Sequence, residues 1–96
     1  MKQPLYRLRI PDAVAELIRG MHPLLKKKVK AGLSAVASDP DLGKALKEDL
    51  EGLKSLRIGK FRIIYRMVGK TVEIVAVGPR KVIYQETHRL LIREKK

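Results

Sequence analysis

Three strand-like runs in the second half of the chain are joined by connections too short for any pairing other than antiparallel. The runs are Lys54–Ile58, Phe61–Val68 and Thr71–Val77, and they are rich in β-branched and aromatic residues. Gly59-Lys60 and Gly69-Lys70 lie between them, and two-residue connections of this kind form β-hairpins. The sequence therefore predicts an antiparallel meander at the centre of the fold.

The first half predicts one strand and two helices. Residues from Pro4 to Ile10 alternate as in a strand with one buried face. Pro11-Asp12 starts a short helix that ends at Gly20, and His22-Pro23 starts a second helix. The predicted apolar stripe of the second helix contains Leu24, Leu25, Val29, Leu33 and Val36. The stretch from Leu42 to Leu53 fits either a helical turn or a loop.

Together these elements predict an α+β fold. We expect a small, mainly antiparallel twisted sheet with the two N-terminal helices packed on one face and the other face partly open. A short C-terminal segment follows Gly78-Pro79, and residues 80–93 fit either a strand running into a helix or a helix throughout. A length of 96 residues predicts a single domain, residues 1–96.

The charge of the chain restricts its partners. It has 22 Lys and Arg against 10 Asp and Glu, a net charge of +12, and positions 51–96 carry 12 basic and only 4 acidic residues. Such a surface indicates a nucleic acid or an acidic protein as partner. No apolar run approaches the length of a membrane span, and there is no cysteine. We therefore expect a soluble, cytoplasmic protein that does not bind a membrane.

Alternation along the predicted strands sorts the basic side chains between the two faces of the sheet. In Phe61–Val68 the odd positions form a continuous apolar face, whereas the even positions include Arg62 and Arg66. If the helices cover the apolar face, these arginines point to the open face, together with Arg57 from the preceding strand. Lys54 has the opposite parity from Arg57. Several guanidinium groups in one groove predict a phosphate-binding site.

The chemistry that fits such a groove is RNA cleavage without a metal. The 2′-hydroxyl is the nucleophile, so the protein has to orient it, move protons and stabilise a pentacovalent phosphorane. The sequence contains no phosphate-binding GxxxxGK[ST] loop, no Cys/His metal spacing and no HExxH. We therefore expect neither a metal nor another cofactor.

The motifs of this region resemble those of the RelE/ParE toxins of type II toxin–antitoxin systems, most closely the RelE mRNA interferases. The similarity lies in the run Arg57-Ile-Gly-Lys-Phe-Arg62-Ile-Ile-Tyr65, then in Val77-Gly-Pro-Arg80 and the later Tyr84. The resemblance covers roughly residues 4–92. It implies the same fold, cleavage of mRNA on the ribosome, and neutralisation by a cognate antitoxin protein. It assigns catalytic roles to Arg62, Arg80 and Tyr84.

The chain departs from the family pattern at one point. RelE-like endonucleases carry two lysines, two residues apart, before the arginine strand, and the ungapped equivalents here are Leu53 and Ser55, with Lys54 between them. Three explanations stay open. A bulge returns Lys54 to the arginine face, or Arg57 or Lys60 takes over its role, or the general base is missing.

Other basic residues are secondary candidates. His88 is a possible acid or base, because some relatives use a histidine near the C-terminus and its ordinary pKa suits that role. Contact with RNA phosphates is predicted for a further set of cations, Arg66, Lys81, Lys26, Lys27 and Lys28. Tyr65 lies on the apolar parity of its strand and is predicted to belong to the core.

Two other functions are consistent with these sequence features. A ParE-like inhibitor of DNA gyrase would have the same fold without the catalytic set, and the absent lysine pair favours it. A noncatalytic basic RNA-binding module is the third possibility. Only four aromatic residues are present to stack on bases, which makes that module poorly equipped.

Overall fold

A five-stranded sheet forms the centre of the molecule. The computed structural model describes residues 6–79, 83, 87 and 89. Its strands, in chain order, are β1 (Arg7–Arg9), β2 (Lys44–Ala45), β3 (Lys54–Ile58), β4 (Phe61–Val68) and β5 (Thr71–Pro79). Their spatial order is β1-β5-β4-β3-β2. Two helices pack against this sheet, so the predicted α+β architecture is confirmed.

Strands β3, β4 and β5 form the predicted meander. The two hairpins close at the pairs Ile58–Phe61 and Val68–Thr71, as expected for two-residue connections. Gly59 and Gly69 begin these connections with φ values of 58° and 61°, which a residue with a Cβ adopts at a cost. Strand β5 extends two residues beyond the predicted end and finishes at Pro79.

A bulge in β5 sets which of its residues face the helices. Ile64 pairs with Ala76, but the next residue, Tyr65, pairs with Ile74, so Val75 is the extra residue. The bulge shifts the alternation by one position. As a result both Ile74 and Val77 join the core beneath the helices.

Strand β1 is the exception to antiparallel pairing. It runs parallel to β5, with Arg7 opposite Thr71 and Arg9 opposite Glu73. Two helices and three other strands separate β1 from β5 in the sequence, and a long connection is what parallel neighbours require. Positions 4 and 5 of the predicted first strand lie outside the described residues.

Helices α1 (Asp12–Arg19) and α2 (Pro23–Ser38) begin where the sequence predicts. Gly20 follows the end of α1. His22 caps α2, because its Nδ1 accepts a hydrogen bond from the Leu24 backbone N–H at 3.2 Å. The core lies between these helices and the sheet and contains Val14, Ile18, Val29, Leu33, Val36, Ile63, Tyr65, Val72, Ile74 and Val77. Among the described residues, no helix is long and apolar enough to cross a membrane.

The predicted stripe of α2 is wrong at its first residue. Leu24 is 68% exposed, whereas Leu25 of the same turn packs against the core and Leu33 is 5% exposed. Leu17 of α1 is also half-exposed. Leu25, Val29, Leu33 and Val36 form the buried stripe at spacings of four, four and three residues, and Leu24 lies beside that stripe.

The same substitution at these two positions of α2 should therefore have unequal effects. Leu33→Ala is expected to lower the free energy of unfolding by about 2–5 kcal/mol because it leaves a cavity in the core. Leu24→Ala should change it by less than about 0.5 kcal/mol, as for other surface substitutions. Urea unfolding followed by circular dichroism measures both values. Equal losses would mean that α2 packs in another orientation.

The second face of the sheet is less open than predicted. Leu53, Ile64, Ala76 and Ile83 form a small buried cluster there, with Ile83 contributed by the C-terminal segment. Ile83, Thr87 and Arg89 are helical, and the Thr87 hydroxyl donates a hydrogen bond to the Ile83 carbonyl oxygen at 2.7 Å.

The stretch that fitted either a turn or a loop contains both kinds of structure. Two single 3₁₀ turns, Pro40–Leu42 and Glu48–Leu50, flank the two-residue strand β2. Residues Lys44 and Ala45 of that strand pair with Ser55 and Lys54 at the edge of the sheet.

Candidate functional site

Two arginines lie directly opposite each other on the second face of the sheet. Arg57 of β3 pairs with Arg62 of β4, next to the hairpin that joins these strands. Arg57 is exposed, and its Nε donates to the Gly59 carbonyl oxygen at 3.2 Å. Arg62 is half-buried, and its Nη1 lies 3.3 Å from the hydroxyl oxygen of the buried Ser55. We call Arg57 and Arg62 the arginine pair.

This placement favours a bound anion. Like charges directly opposite each other on a sheet repel and destabilise it. An anion between two guanidinium groups removes that repulsion and accepts charge-assisted hydrogen bonds from both. Arginine is especially suited to phosphate, because its planar fork matches two phosphate oxygens. The arginine pair is therefore the best candidate for a phosphate site among the described residues.

Lys54 lies on the opposite face from the arginine pair. It is the cross-strand neighbour of the core residue Tyr65, and the register between β3 and β4 continues without a break. No bulge therefore returns Lys54 to the arginine face. Its Nζ instead forms an ion pair with Asp41 Oδ1 at 2.7 Å and lies 3.4 Å from the Pro40 carbonyl oxygen.

The Lys54–Asp41 pair is charged at neutral pH. The hydrogen bond from Lys54 lowers the pKa of Asp41, and the same bond raises the pKa of Lys54. A lowered carboxyl pKa means that the pair supports the folded state above the ordinary carboxyl pKa. That support is lost as the pH falls through the lowered value. The pair is therefore charged throughout the physiological range, on the face of the sheet opposite to the arginine pair.

Lys54 is expected to make no contribution to RNA binding. Lys54→Gln should leave the dissociation constant of a short RNA within about twofold of the original, whereas Arg57→Gln, the same loss of one charge, should weaken binding by about tenfold. A fluorescence-anisotropy titration at constant salt measures both. An equal loss for the two variants would show that Lys54 reaches the bound RNA.

Arg66 shares the second face with the arginine pair but has a different environment. Its Nε and Nη2 each lie 2.6 Å from Glu73 Oε1, and Arg9 lies 3.7 Å from the other oxygen of the same carboxylate. Glu73 therefore offsets part of the positive charge at this end of the face. The two-residue connection between β4 and β5 fixes the pair Arg66–Glu73, so turn length was a signal from which this ion pair could have been predicted.

The remaining predicted residues fall into three groups. Lys60 is exposed in the hairpin beside the arginine pair. The three consecutive lysines of α2 lie on the helix side of the sheet, where Lys27 and Lys28 are exposed and Lys26 is half-buried. A last group lies outside the described residues and consists of Arg80, Lys81, Tyr84 and His88.

Tyr65 is a core residue, as predicted, and it has a structural role that the sequence did not indicate. Its side chain is fully buried, and its hydroxyl donates to the Pro40 carbonyl oxygen at 2.5 Å and accepts from the Gly43 N–H at 2.8 Å. Burial raises the pKa of this phenol. Through these two hydrogen bonds Tyr65 anchors the segment between α2 and β2 to the sheet.

Comparison with known proteins places this chain in a family. A family model described as the ParE toxin of the type II toxin–antitoxin system parDE matches residues 5–84. No curated protein sequence matches the chain significantly.

Solved structures of RelE toxins share the fold. The toxin–antitoxin complex RelBE2 of Mycobacterium tuberculosis matches with a TM-score of 0.70 and 26% identity, covering 83% of this chain and 95% of that chain. A double-arginine mutant of Escherichia coli toxin RelE in the free state matches with a TM-score of 0.72 and 17% identity, covering 94% and 97%. The RelE–RelB complex of the archaeon Pyrococcus horikoshii matches with a TM-score of 0.64 and 20% identity, covering 79% and 96%.

The resemblance to RelE/ParE toxins predicted from the sequence is thus confirmed, both by the family model and by the shared fold. The family model spans most of the chain, including the strands that carry the arginine pair. The chain belongs to the ParE toxin family and is a toxin of a type II toxin–antitoxin system of the RelBE/ParDE kind.

Proposed function

We propose that this toxin is an endonuclease that cleaves mRNA on the ribosome and is neutralised by a cognate antitoxin. The observation that carries the proposal is the arginine pair, two arginines that are direct cross-strand neighbours on one face of the sheet. An RNA phosphate is an anion of suitable charge and shape for this position. The net charge of +12 supports binding to a particle rich in RNA.

The proposed reaction is an internal transfer at phosphorus. The 2′-oxygen attacks the adjacent phosphorus atom, the bond from phosphorus to the 5′-oxygen breaks, and a 2′,3′-cyclic phosphate and a 5′-hydroxyl form. The proton of the 2′-hydroxyl has to be removed, and the leaving 5′-oxygen has to gain one. Arg57 and Arg62 would stabilise the negative charge that develops on the phosphorane oxygens.

Proton transfer is assigned to residues that the sequence nominates. With Lys54 tied to Asp41 on the far face, the remaining candidates for acid or base are Tyr84, His88 and Lys60. Arg80 is proposed as a third phosphate ligand. Substituting each residue singly and comparing the pH dependence of cleavage would separate proton-transfer roles from binding roles.

The proposed protein partner is an antitoxin. The M. tuberculosis RelBE2 and P. horikoshii RelE structures are complexes of a toxin with its antitoxin. For the present chain, the strongly basic surface favours an antitoxin with acidic segments.

A second function, inhibition of DNA gyrase, is favoured by one observation. The lysine pair of RelE-like endonucleases is absent, and Lys54 is engaged by Asp41 on the helix side of the sheet. A toxin without a general base would bind nucleic acid or a protein target without cleaving RNA. The match to the ParE family model is consistent with this alternative.

Cell-free translation combined with a supercoiling assay distinguishes these functions. The purified toxin should produce discrete breaks within codons of the mRNA, mapped by primer extension, only when ribosomes are present. Addition of the antitoxin should abolish the breaks. Intact mRNA together with loss of gyrase supercoiling would support the second function. Intact mRNA with blocked translation and active gyrase would indicate a noncatalytic RNA-binding module.

A further inference from the structure

A glycine of β5 lies beside the arginine pair and supports a residue of the C-terminal segment. Gly78 is the cross-strand neighbour of Arg62. A Cβ atom at Gly78 would lie 3.1 Å from Ile83 Cδ1, so the δ-methyl group of Ile83 rests on the bare backbone at this position. Ile83 is 2% exposed and packs in the cluster with Leu53, Ile64 and Ala76.

Ile83 also accepts a hydrogen bond from the C-terminal side. The hydroxyl of Thr87, one helical turn later, donates to the Ile83 carbonyl oxygen at 2.7 Å, and the Thr87 side chain is fully buried. This bond pairs the buried hydroxyl with a carbonyl oxygen of its own segment, four residues earlier. Ile83 is thus held against the sheet by its packing in the cluster.

Arg62 lies at the border between this apolar cluster and the exposed Arg57. Its Nε has almost no exposed surface, whereas the residue as a whole is half-buried. Nearby apolar side chains lower the local dielectric constant, and a guanidinium group then attracts a phosphate more strongly than it would in water. Whatever holds the apolar border in place therefore influences how strongly Arg62 binds an anion.

We propose that Ile83 is a positioning residue for Arg62. Its δ-methyl group, seated on Gly78, completes the apolar border that shields one side of Arg62 and directs the guanidinium toward Arg57. The inference rests on the proposed function in one respect, because the anion bound by the arginine pair is taken to be an RNA phosphate. Ile83 itself touches neither the anion nor the reacting atoms.

A pair of small substitutions tests this role. Gly78→Ala adds a methyl group 3.1 Å from Ile83 Cδ1, which is tighter than nine in ten such contacts, so the Ile83 side chain has to shift by a few tenths of an ångström. Ile83→Val removes the Cδ1 atom that the new methyl group would meet. In the double variant the methyl group added at position 78 lies close to the space that the δ-methyl group of Ile83 leaves, so the apolar border should be restored. Ile83→Val alone removes that methyl group without replacing it and should weaken RNA binding.

Two measurements on the full chain report on Arg62. NMR measures the rate at which the Arg62 Nε–H exchanges with solvent, and this readout does not depend on catalysis. A titration with a short RNA carrying 2′-O-methyl groups, which cannot be cleaved, measures binding. Gly78→Ala should increase the exchange rate and weaken RNA binding by about tenfold, or about 1.4 kcal/mol. The double variant should recover most of both losses.

The outcomes separate this proposal from the function on which it rests. If Gly78→Ala leaves the Arg62 exchange rate unchanged, or if the double variant is no better than Gly78→Ala, Ile83 does not position Arg62. Urea unfolding of each variant shows whether the protein is still folded under the conditions of the titration. If the weaker RNA binding of Gly78→Ala is explained by unfolding, the proposal is also wrong. If compensation is seen while the original protein cleaves no mRNA, the positioning role stands and the nuclease function is wrong.

Discussion

Arg62→Ala is expected to lower the rate of mRNA cleavage by about 100- to 1000-fold, the usual effect of removing one group that stabilises a developing oxyanion. The fold should survive, because Arg62 is only half-buried and lies outside the main core. Single-turnover cleavage of ribosome-bound mRNA measures the rate, and circular dichroism verifies the fold.

Two comparison variants make this prediction specific. Arg62→Lys keeps the charge but loses the planar fork, and it should recover only part of the rate. Arg19→Ala removes one positive charge from the exposed end of α1, on the helix side of the sheet, and it should cleave at the original rate. If Arg19→Ala and Arg62→Ala lower the rate equally, net charge rather than the arginine pair determines activity.

Gly43→Ala is expected to lower the stability more than the same substitution at the other glycines of the chain. The new Cβ would overlap the Tyr65 hydroxyl and lie 2.8 Å from the Tyr65 ring atom Cε1. The ring is fully buried and has no room to move, so the backbone at position 43 has to shift and the bond from the Gly43 N–H is lost. We expect a decrease of about 3 kcal/mol in the free energy of unfolding, measured in urea.

The controls for Gly43→Ala use one other glycine and the tyrosine hydroxyl. Gly20→Ala, where the nearest atoms lie 3.8 Å from the added Cβ, should change the stability by no more than about 0.5 kcal/mol. In a Tyr65→Phe background the contact with the hydroxyl and its hydrogen bond are absent, while the ring atoms remain. Gly43→Ala should therefore lower the free energy of unfolding less there than in the original protein. A full additional loss in that background would mean that the ring, and not the hydroxyl, is the obstacle.

Short connections made the meander predictable. Two residues between β3 and β4, and two between β4 and β5, leave one register at each turn, and alternation then assigns the side chains of β3 and β4 to a face. The arginine pair follows from this reasoning without further information. The same reasoning correctly placed Tyr65 in the core and gave Lys54 the opposite parity from Arg57.

Contacts between distant parts of the chain could not be predicted from local sequence patterns. The parallel pairing of β1 with β5 and the bulge at Val75 depend on how the helices cover the sheet. The exposure of Leu24 depends on which side of the first turn of α2 faces the core, and Leu25 takes that side. Ile83 reaches the second face from the C-terminal segment, so the cluster that covers part of that face had no signal in the strand pattern.

Within the candidate site, the sequence predicted the groups but not their partners. It placed Arg62 and Arg66 on one face, but their environments differ, because Glu73 lies against Arg66 while Ser55 and Arg57 lie beside Arg62. The ion pair between Lys54 and Asp41 joins β3 to a turn 13 residues earlier in the chain, and no local pattern predicts that contact.

The central claim is that Arg57 and Arg62 bind one phosphate together, and a double-mutant cycle on RNA affinity tests it most directly. The uncleavable 2′-O-methyl RNA is titrated at several salt concentrations with the original protein, Arg57→Gln, Arg62→Gln and the double variant. If both arginines hold one phosphate, the double variant should bind little worse than either single variant. The slope of the logarithm of the binding constant against the logarithm of the salt concentration should also become shallower by about 0.7, the contribution of one contact with single-stranded nucleic acid. Additive losses of binding free energy, with a change in this slope twice as large, would mean two separate phosphate contacts. Unchanged affinity in all variants would mean that the arginine pair binds no RNA.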